Sequence, residues 1–573
     1  MNTQNPPGLE RYDELAQSVA LAYVAGDAQA IRRINEVHGT SFLFDREPER
    51  TRARLPAWFA SSERSPEMAL ADAQQLVART VGFDTWHELV QSLRRTRRVR
   101  GSAPEVARFY RIDAATNTIA VRGPLAARHW DVVLATVRER GLSGVVAPGI
   151  EDEALARVCR VPGLRRLVLG ARVTDAGMRH LAKVTGLEEL ELGGVHGVSD
   201  RGLLVLRQLP NLKRFQACWA RGISDTGVAN LGACDALEEV DLMGTQTGDG
   251  ALEALQGKHR LLRLKTGTHV SDRSLPLLQT FPAFKASNCG EPAFELMSFS
   301  ARTTHLMLDG SFTDLGLTAL AGLDGLVGLS FFRHCQALTS AALALLPLLA
   351  GLRFLGCPGT LCDDAAMRHI GAAAGLRMLM GQGAVATDVG FAELARSSTL
   401  EYFWGRDCPN LGGAGLKALA KMPALKGLAV SLKRVDDGAL SVLPSFPALR
   451  SLVPIDVSDD GFRHVGRCTA LENLWCMYCR ETGDVATAHV RGLSSLKTYY
   501  AGQTKITDSS LEILAGLLGL EKIELWDVSG VTDAGIAALA RLPRLRKLVV
   551  DGSPAVTRAA FAACAPAVDV TLA

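Results

Sequence analysis

The sequence has little excess of either charge. Its 573 residues include 63 Lys and Arg and 60 Asp and Glu, which leaves a formal net charge of +3. Proteins that bind nucleic acid or anionic membranes usually carry a concentrated basic surface. This balance gives no electrostatic reason to expect such partners, so we predict neither a nucleic-acid nor a membrane interaction.

Long apolar runs and export signals are also lacking. The most apolar run, AALALLPLLAGLRFLG at 341–356, contains Pro347 and is too short to span a bilayer. The opening residues, MNTQNPPGLERYDELAQ, have neither the basic nor the apolar segment of a secretory signal. The twelve cysteines show no paired spacing, which favours free thiols over a disulfide framework. These features predict a cytoplasmic protein.

Motifs for catalysis are missing as well. The sequence contains no phosphate-binding P-loop, no H-E-x-x-H and no G-x-S-x-G. Cys476 and Cys479 form a C-x-x-C, but Cys476 occupies a core position of its strand pattern and no second pair lies at a fitting distance. We therefore predict no catalytic residue, no cofactor and no metal, and expect that the protein is not an enzyme.

What the sequence does contain is an internal repeat. VTDAGMRHLAKVTGLEELELGG at 173–194 returns as VTDAGIAALARLPRLRKLVVDG at 531–552. In each copy a segment of period 3.6 is followed by L-x-x-L-x-L, which has period 2, and this order predicts a helix that leads into a short strand. Aspartates of the same pattern occur at Asp175, Asp200, Asp225, Asp249, Asp272, Asp314, Asp388, Asp459, Asp508 and Asp533.

The polar positions of the repeat have physical roles. Thr532 or Asp533 is expected to cap its helix, because a short oxygen-bearing side chain accepts from the free amides of the first turn. A glycine recurs at the position of Gly535, where a side chain would crowd the neighbouring coil. One such coil cannot bury its apolar stripe alone, whereas stacked coils form a continuous core.

This pattern resembles the leucine-rich repeat family, and within it the cysteine-containing subtype of the F-box leucine-rich-repeat proteins. The resemblance covers residues 124 to 573, although the cysteines of the subtype are present only in some coils and no F-box signature is found. It implies an α/β solenoid shaped as a horseshoe, with parallel β-strands on the concave side and helices on the convex side.

The N-terminal part reads differently. ADAQQLVARTVGFDTWHELVQSL, with Gly82, Phe83 and Trp86, resembles a helical module that precedes ankyrin repeats in many bacterial proteins. We predict a small all-α domain with a basic linker at 1–100, a bridging segment and cap coil at 101–149, and the solenoid with a degenerate C-terminal cap at 150–573. Phe83 and Trp86 are interpreted as a helix-packing core, and the resemblance implies no catalytic residue in this domain.

The residues between the strand leucines should face outward, because side chains alternate along a strand. In the early coils these positions are charged or polar and form an auxiliary surface. They are Arg166, Glu189, Glu191, Arg214, Gln216, Glu239, Asp241, Arg263 and Lys265.

From the middle of the chain the outward positions become aromatic or Met, and we predict that they bind a partner. Exposed residues of these types are typical of protein-binding surfaces. They are Phe332, Phe354, Met378, Met380, Tyr402, Trp404, Trp475, Met477, Tyr500 and Trp526. An alternative is that the rings stack on one another and only stabilise the sheet. A slip of one residue in the assumed register, most plausible near 499, would place them in the core.

The sequence thus predicts a non-enzymatic scaffold that binds a protein or peptide on its concave face, with a monomer favoured. The alternative function is a regulatory or sensor protein that binds a small apolar ligand in a concave pocket. The two differ in geometry, since a broad open stripe suits a protein and a deep closed pocket suits a small molecule.

Overall fold

The computed structural model describes residues 109–121, 125–193, 197–286, 303–477, 479, 482–565 and 567–572, together with two short strands within 294–299 and scattered helical positions between 13 and 90. These residues divide into two compact units. The first unit runs to Phe284 and includes Leu306–Ser311, and the second contains 303–305 and the chain from Phe312 onward. Most of the helical domain predicted for 1–100, including Gly82 and Phe83, lies outside the described residues.

The first unit opens with an antiparallel hairpin and continues as a parallel sheet. β1 pairs with β2 through Tyr110↔Val121 and Asp113↔Thr118. β2 to β8 then pair in chain order, each parallel to the next, and β8 pairs with β12. The strands are β1 Tyr110–Asp113, β2 Thr118–Val121, β3 Gly144–Val146, β4 Arg166–Val168, β5 Glu189–Glu191, β6 Arg214–Gln216, β7 Glu239–Asp241, β8 Arg263–Lys265, β9 Val270–Ser271, β10 Phe294–Glu295, β11 Ser298–Phe299, β12 His305–Leu308 and β13 Gly310–Ser311, of which β10 and β11 belong to the second unit.

The second unit repeats the parallel arrangement from β14 to β24, each strand pairing with the next. One irregularity in register lies between Trp404 and Arg406. The strands are β14 Gly328–Phe331, β15 Phe354–Gly356, β16 Met378–Met380, β17 Tyr402–Arg406, β18 Gly427–Ser431, β19 Ser451–Ile455, β20 Asn473–Met477, β21 Thr498–Gly502, β22 Lys522–Trp526, β23 Lys547–Asp551 and β24 Asp569–Leu572.

A helix stands between most consecutive strands, as predicted. In the part described from residue 109 onward, the α-helices are Ala127–Arg140, Asp152–Val158, Asp175–Met178, Asp225–Val228, Asp249–Leu255, Pro282–Lys285, Asp364–Gly371, Asp388–Leu394, Gly413–Leu419, Asp437–Leu440, Phe462–Val465, Asp484–Val490, Asp508–Leu514 and Asp533–Leu539. Other coils use the tighter 3₁₀ form, at Arg179–Lys183, Gly202–Gln208, Ala229–Ala233, Leu275–Thr280, Gly316–Leu320, Ser340–Leu348, Gly359–Leu361, Leu443–Ser445 and Arg558–Ala563. Pro347 lies inside Ser340–Leu348, where its missing amide hydrogen disfavours a regular α-helix.

The leucines of each strand form the core. In β5, Leu190 is buried whereas Glu189 and Glu191 are half-buried, and β22 shows the same alternation, with Ile523 and Leu525 inside. The buried leucines of the helices, such as Leu511 and Leu514, pack on that inner side. The opposite side of the sheet is called the open face below. The predicted α/β leucine-rich-repeat solenoid with parallel strands is thereby confirmed.

An aspartate joins many of the coils to the next one. Thr532 Oγ1 accepts from Ala534 N at 3.2 Å and so caps its own helix. Asp508, in the preceding coil, accepts from Thr532 N at 2.8 Å and from Thr532 Oγ1 at 2.6 Å. The threonine therefore caps the helix, and the aspartate binds the neighbouring coil. The same pair of bonds joins Asp152 to Thr174, Asp175 to Ser199, Asp200 to Ser224, Asp249 to Ser271, Asp314 to Thr339, Asp364 to Thr387, Asp484 to Thr507 and Asp533 to Thr557.

The recurring glycine makes room for that carboxylate. A Cβ at Gly535 would lie 2.3 Å from Asp508 Oδ1, and one at Gly390 would lie 2.4 Å from Asp364 Oδ1. The predicted crowding is thus confirmed at these two positions, and its cause is the aspartate of the preceding coil. Gly438 differs, because the nearest atom to its Cβ would be Asp436 Oδ1 of its own coil, at 3.2 Å.

Candidate partner-binding surface

The register of the second unit aligns the open-face residues into rows. In the first row Phe354, Met378, Tyr402, Gly427 and Ser451 follow one another from β15 to β19. Because the partners of neighbouring strands lie about 4.8 Å apart, side chains along a row touch one another.

The second and third rows lie further along the same strands. The second row contains Met380, Trp404, Ala429 and Val453, and in β20 to β22 it contains Trp475, Tyr500 and Glu524. The third row contains Ser431 and Ile455, and in β20 to β22 it contains Met477, Gly502 and Trp526. Tyr499 is 1% exposed and in the core, so the register near 499 has not slipped.

A packed apolar cluster occupies the middle of this face. Its buried floor consists of Trp404, Ala429, Val453 and Ile455. Met380, Trp475 and Met477 pack against the floor and stay half-buried, and they are called the rim. Floor and rim together are called the apolar cluster. The small Ala429 beside Trp404 leaves the space that a large indole needs.

Three of the ten predicted partner-binding residues are more buried than expected for an exposed stripe. Trp404 is 2% exposed, Phe354 3% and Met378 0%. All three stand in the expected open-face rows, but their neighbours in those rows cover them. Phe332, Met380, Tyr402, Trp475, Met477, Tyr500 and Trp526 are half-buried.

Phe354 belongs to a separate contact at the start of the unit. Its ring meets the His305 ring edge-on, with the centroids 5.6 Å apart and the planes at 90°. His305 Nε2 and Ser330 Oγ are joined by a hydrogen bond of 2.9 Å. Phe332 follows the end of β14, and the Arg333 guanidinium stands 5.6 Å above its ring centroid. These two phenylalanines are therefore positioned by their own local contacts.

Starting from Trp475 of the rim, aromatic rings continue along β20 to β22. Trp475 stacks on Tyr500 with the centroids 5.7 Å apart and the planes at 28°. A Cβ at Gly502 would lie 2.8 Å from Tyr500 Cε1, so the absence of a side chain there lets the tyrosine ring lie flat. Trp526 follows Gly502 in its row. The stack of Trp475 on Tyr500 contributes about 0.5 to 1.5 kcal/mol beyond the burial of apolar area, and it fixes the orientation of both rings.

The charged residues of the first unit pair with one another on the open face. Glu189 lies 3.4 Å from Arg166 Nε and accepts from Arg214 Nη1 at 3.0 Å. Glu239 lies 3.9 Å from Arg214 Nε and 3.8 Å from Arg263 Nε. One row therefore alternates in sign over five strands, β4 to β8, and each charge is largely neutralised by its neighbours.

The next row of the first unit is more buried. Asp241 is 1% exposed, and Lys265 Nζ donates to its Oδ2 at 2.5 Å. Gln216 Nε2 donates to Glu239 Oε1 at 3.4 Å. Burial raises the pKa of Glu191, and the nearby Asp241 and Glu189 charges add to the effect, although Arg166 opposes it. The polar side chains of this row therefore bind one another or the neighbouring row and lie close to the sheet.

The C-x-x-C pair lies inside the coil. Cys476 and Cys479 are each 1% exposed, and Cys479 Sγ donates to Pro454 O at 3.2 Å. Burial raises the pKa of Cys479 to about 12, which disfavours the thiolate that metal binding and redox chemistry require. Within the described ranges, no three His, Cys, Asp or Glu side chains form a group suited to a metal ion.

No helix in the described part of the chain is both long enough and apolar enough to cross a membrane.

A cavity of about 500 Å³ lies at the helix side of the second unit. Arg368, Glu393, Arg396 and Ser397 are among its lining residues. Because it lies among the helices and not at the aromatic rows of the strands, it is not the concave apolar pocket considered from the sequence.

Sequence reasoning missed part of the apolar cluster. Ala429, Val453 and Ile455 occupy the same outward positions as the aromatic residues, in GLAVS and SLVPI. The alternation that found Trp404 and Trp475 would have found them, had small and aliphatic residues been included. They matter because their size determines how deeply Trp404 is buried.

No family model and no curated protein matches the chain. Among solved structures, it is similar to Rad7 in the yeast Rad7–Elc1 complex, with 16% identity, a TM-score of 0.39, and coverage of 77% of this chain and 92% of that one. It is also similar to an internalin, InlF, of Listeria monocytogenes, with 16% identity, a TM-score of 0.25, and coverage of 73% and 92%.

A third similar structure is TLR13 in its complex with ssRNA13. The identity is 18%, the TM-score is 0.44, and the match covers 74% of this chain and 64% of that chain. These three TM-scores are below 0.5, so the similarities carry no functional information to this protein.

Proposed function

We propose that the protein is a non-enzymatic recognition scaffold that binds a protein or peptide on the open face of its second unit. The observation that supports this most is the rim, where Met380, Trp475 and Met477 remain half-buried above a packed floor. Tyr500 and Trp526 extend the apolar surface along the next strands. A surface whose rings are already fixed loses little conformational entropy on binding, which favours affinity.

The form of the surface argues against the alternative of a small apolar ligand. The interior of the apolar cluster is filled by Trp404 and Ile455 themselves, both almost fully buried. A partner would therefore lie across the rim. Small-molecule sites usually enclose most of their ligand.

The remaining sequence predictions enter the proposal as expectations. The charged residues of the first unit would serve as an auxiliary surface acting through hydrogen bonds, since their paired charges leave little long-range field. We also propose a cytoplasmic monomer with coils of the cysteine-containing subtype. Cys408 is buried, which fits that subtype, and so is Cys479.

Affinity capture from a lysate of the source organism tests the proposal. The Trp475→Ala/Trp526→Ala variant should lose a protein that the wild type captures, whereas Leu518→Ala should retain it, because Leu518 is 62% exposed and precedes β22 outside the strand rows. Circular dichroism and urea unfolding establish that each variant is folded. Equal capture by the wild type and the double variant would contradict the proposal. Met477→Gln is a milder change of the same surface and should weaken the capture in the same direction.

A further inference from the structure

We infer that the partner of the second unit is an acidic peptide segment, with carboxylates placed beside apolar anchor residues. This inference rests on the proposed function and specifies the chemistry of its partner. It is carried by an excess of basic side chains that accompanies the aromatic rows.

The residue just before each strand forms a row of charges, which is called the edge row. In the second unit it carries six basic and three acidic residues. They are Arg353, Arg377, Glu401, Lys426, Arg450, Glu472, Lys497, Glu521 and Arg546.

Each of two glutamates in the edge row is shared between two basic side chains. Glu401 lies 3.4 Å from Arg377 Nη1 and 2.9 Å from Lys426 Nζ. Glu472 lies 4.0 Å from Arg450 Nε and 2.7 Å from Lys497 Nζ. Because each group contains two cations and one carboxylate, its formal charge is +1.

These basic side chains are accessible. The side chains of Lys426, Arg450 and Lys497 are 47%, 45% and 53% exposed, and that of Arg546 is 79% exposed although it pairs with Glu521 at 3.6 Å. Exposed ion pairs of this kind are worth only about 0 to 1 kcal/mol, so they exchange partners readily. A carboxylate of a bound peptide can therefore compete for them.

Two further lysines bring positive charge onto the open face itself. Lys522 and Lys547 are partners in the first row, and Lys522 shares β22 with Trp526. Lys522 Nζ contacts Glu524 at 2.9 Å. Counting every charged residue of β15 to β23 and the edge row gives nine basic residues against five acidic ones, the others being Arg406, Glu524 and Asp551.

The first unit provides an internal comparison. Its corresponding positions contain equal numbers of basic and acidic residues, six of each. They are Arg165, Arg166, Lys213, Arg214, Arg263 and Lys265 against Glu188, Glu189, Glu191, Glu238, Glu239 and Asp241. The basic excess thus occurs in the unit that also carries the aromatic rows, and both features suit one partner.

A peptide fits this surface better than a single-stranded nucleic acid. Glu401, Glu472 and Glu521 interrupt the edge row, and a continuous chain of phosphates would have to pass each of them. Peptide carboxylates can be spaced to avoid them, because an extended peptide advances about 3.3 Å per residue while strands are about 4.8 Å apart.

Selection from a random peptide library against the full chain tests the inference. We expect that enriched peptides of about twelve residues combine Asp or Glu with Trp, Phe, Leu or Met. Their affinity, measured by fluorescence polarisation, should fall roughly tenfold for Lys426→Glu/Arg450→Glu. It should also fall between about 0.05 and 0.5 M NaCl, because salt screens exposed charges.

Matched variants separate charge from folding. Arg541→Glu/Arg544→Glu changes the net charge equally at exposed positions outside the edge row and should bind like the wild type. Lys426→Gln/Arg450→Gln avoids placing new carboxylates beside Glu401 and Glu472, and it should show a smaller loss in the same direction. Peptides whose Asp and Glu are replaced by Lys should prefer the charge-reversed variant.

The outcomes distinguish this inference from the proposed function. Enrichment of basic or uncharged peptides whose binding needs Trp475 and Trp526 would overturn the acidic partner and leave the scaffold proposal standing. Displacement of the peptides by a thymidine oligonucleotide of about twenty residues, at similar affinity, would also overturn it. If no selected peptide depends on Trp475 and Trp526, both proposals are wrong.

Discussion

A threonine, an aspartate and a glycine of the repeat share the contact between neighbouring coils. Thr532 caps its helix and donates its hydroxyl to Asp508, while Asp533 binds Thr557 of the following coil. Gly535 leaves the volume that the Asp508 carboxylate occupies. Their close spacing in sequence therefore reflects two successive contacts, one with the coil before and one with the coil after.

Gly535→Ala is expected to destabilise the protein by about 1 to 3 kcal/mol, the usual cost of overpacking. The new Cβ would stand 2.3 Å from Asp508 Oδ1 and 2.8 Å from Leu511 Cδ1, so the two coils must separate. Urea unfolding measures the loss. Gly492→Ala is the control, because nothing lies within 4 Å of the Cβ it would add. Equal stability of the two variants would show that the carboxylate contact does not constrain this position.

Trp404 shows what residue type alone cannot decide. Its outward position follows from the alternation of Phe403 and Trp404, and the structure places it there. Whether such a ring is exposed depends on the residues opposite it in the next strands. Ala429 and Val453 are small enough for the indole to pack over them, so the ring becomes floor instead of surface.

At the scale of the elements, periodicity predicted the strands well. The L-x-x-L-x-L pattern placed the core leucines and the outward rows correctly, including Tyr499 and Tyr500, because a period of two leaves only two choices per strand. The sequence pattern determined the type of helix less well. Several coils adopt 3₁₀ turns, since their few residues must close between two strands and the choice depends on packing.

The pairing of charges between coils could have been predicted from the sequence, but only once the register of the strands was assigned. Glu189, Arg214 and Glu239 are about 25 residues apart in sequence and become neighbours only when the coils are aligned. Each residue taken alone indicates only a charged surface. Aligned, they form a self-neutralising row, and the same alignment shows the basic excess of the second unit.

The stacking of coils should weaken in acid. Burial alone would raise the pKa of Asp484, but hydrogen bonds from Ser510 and Thr507 outweigh it, and the pKa lies below its ordinary value of 3.8. A group whose pKa is lower in the folded state stabilises that state above its unfolded pKa, and this contribution disappears as the pH falls through the folded pKa.

Asp484→Asn should therefore lower the free energy of unfolding most near neutral pH, with a difference from wild type that shrinks towards about pH 3. Urea unfolding over that pH range measures the difference. The control is Asp407→Asn, the same substitution at an exposed position. A difference that stays constant as the pH falls would assign the effect to packing instead of charge.

At the scale of the whole molecule, stability in a solenoid is mostly a sum of contacts between adjoining coils. Leu525 is 1% exposed and its strand pairs with β21 and β23. Leu525→Ala leaves a cavity that costs about 2 to 5 kcal/mol. The loss should appear as faster amide hydrogen exchange in β21, β22 and β23.

Exchange in β5 and β6 of the first unit should stay as in the wild type, because each coil of a solenoid depends mainly on the coils next to it in the chain. Leu518→Ala, at a residue 62% exposed, should leave exchange unchanged throughout. Uniform acceleration across β5, β6 and β22 would instead mean that the chain opens as one cooperative body. Local acceleration would show that the open face of the second unit can be altered, and its binding tested, without disturbing the charged rows of the first.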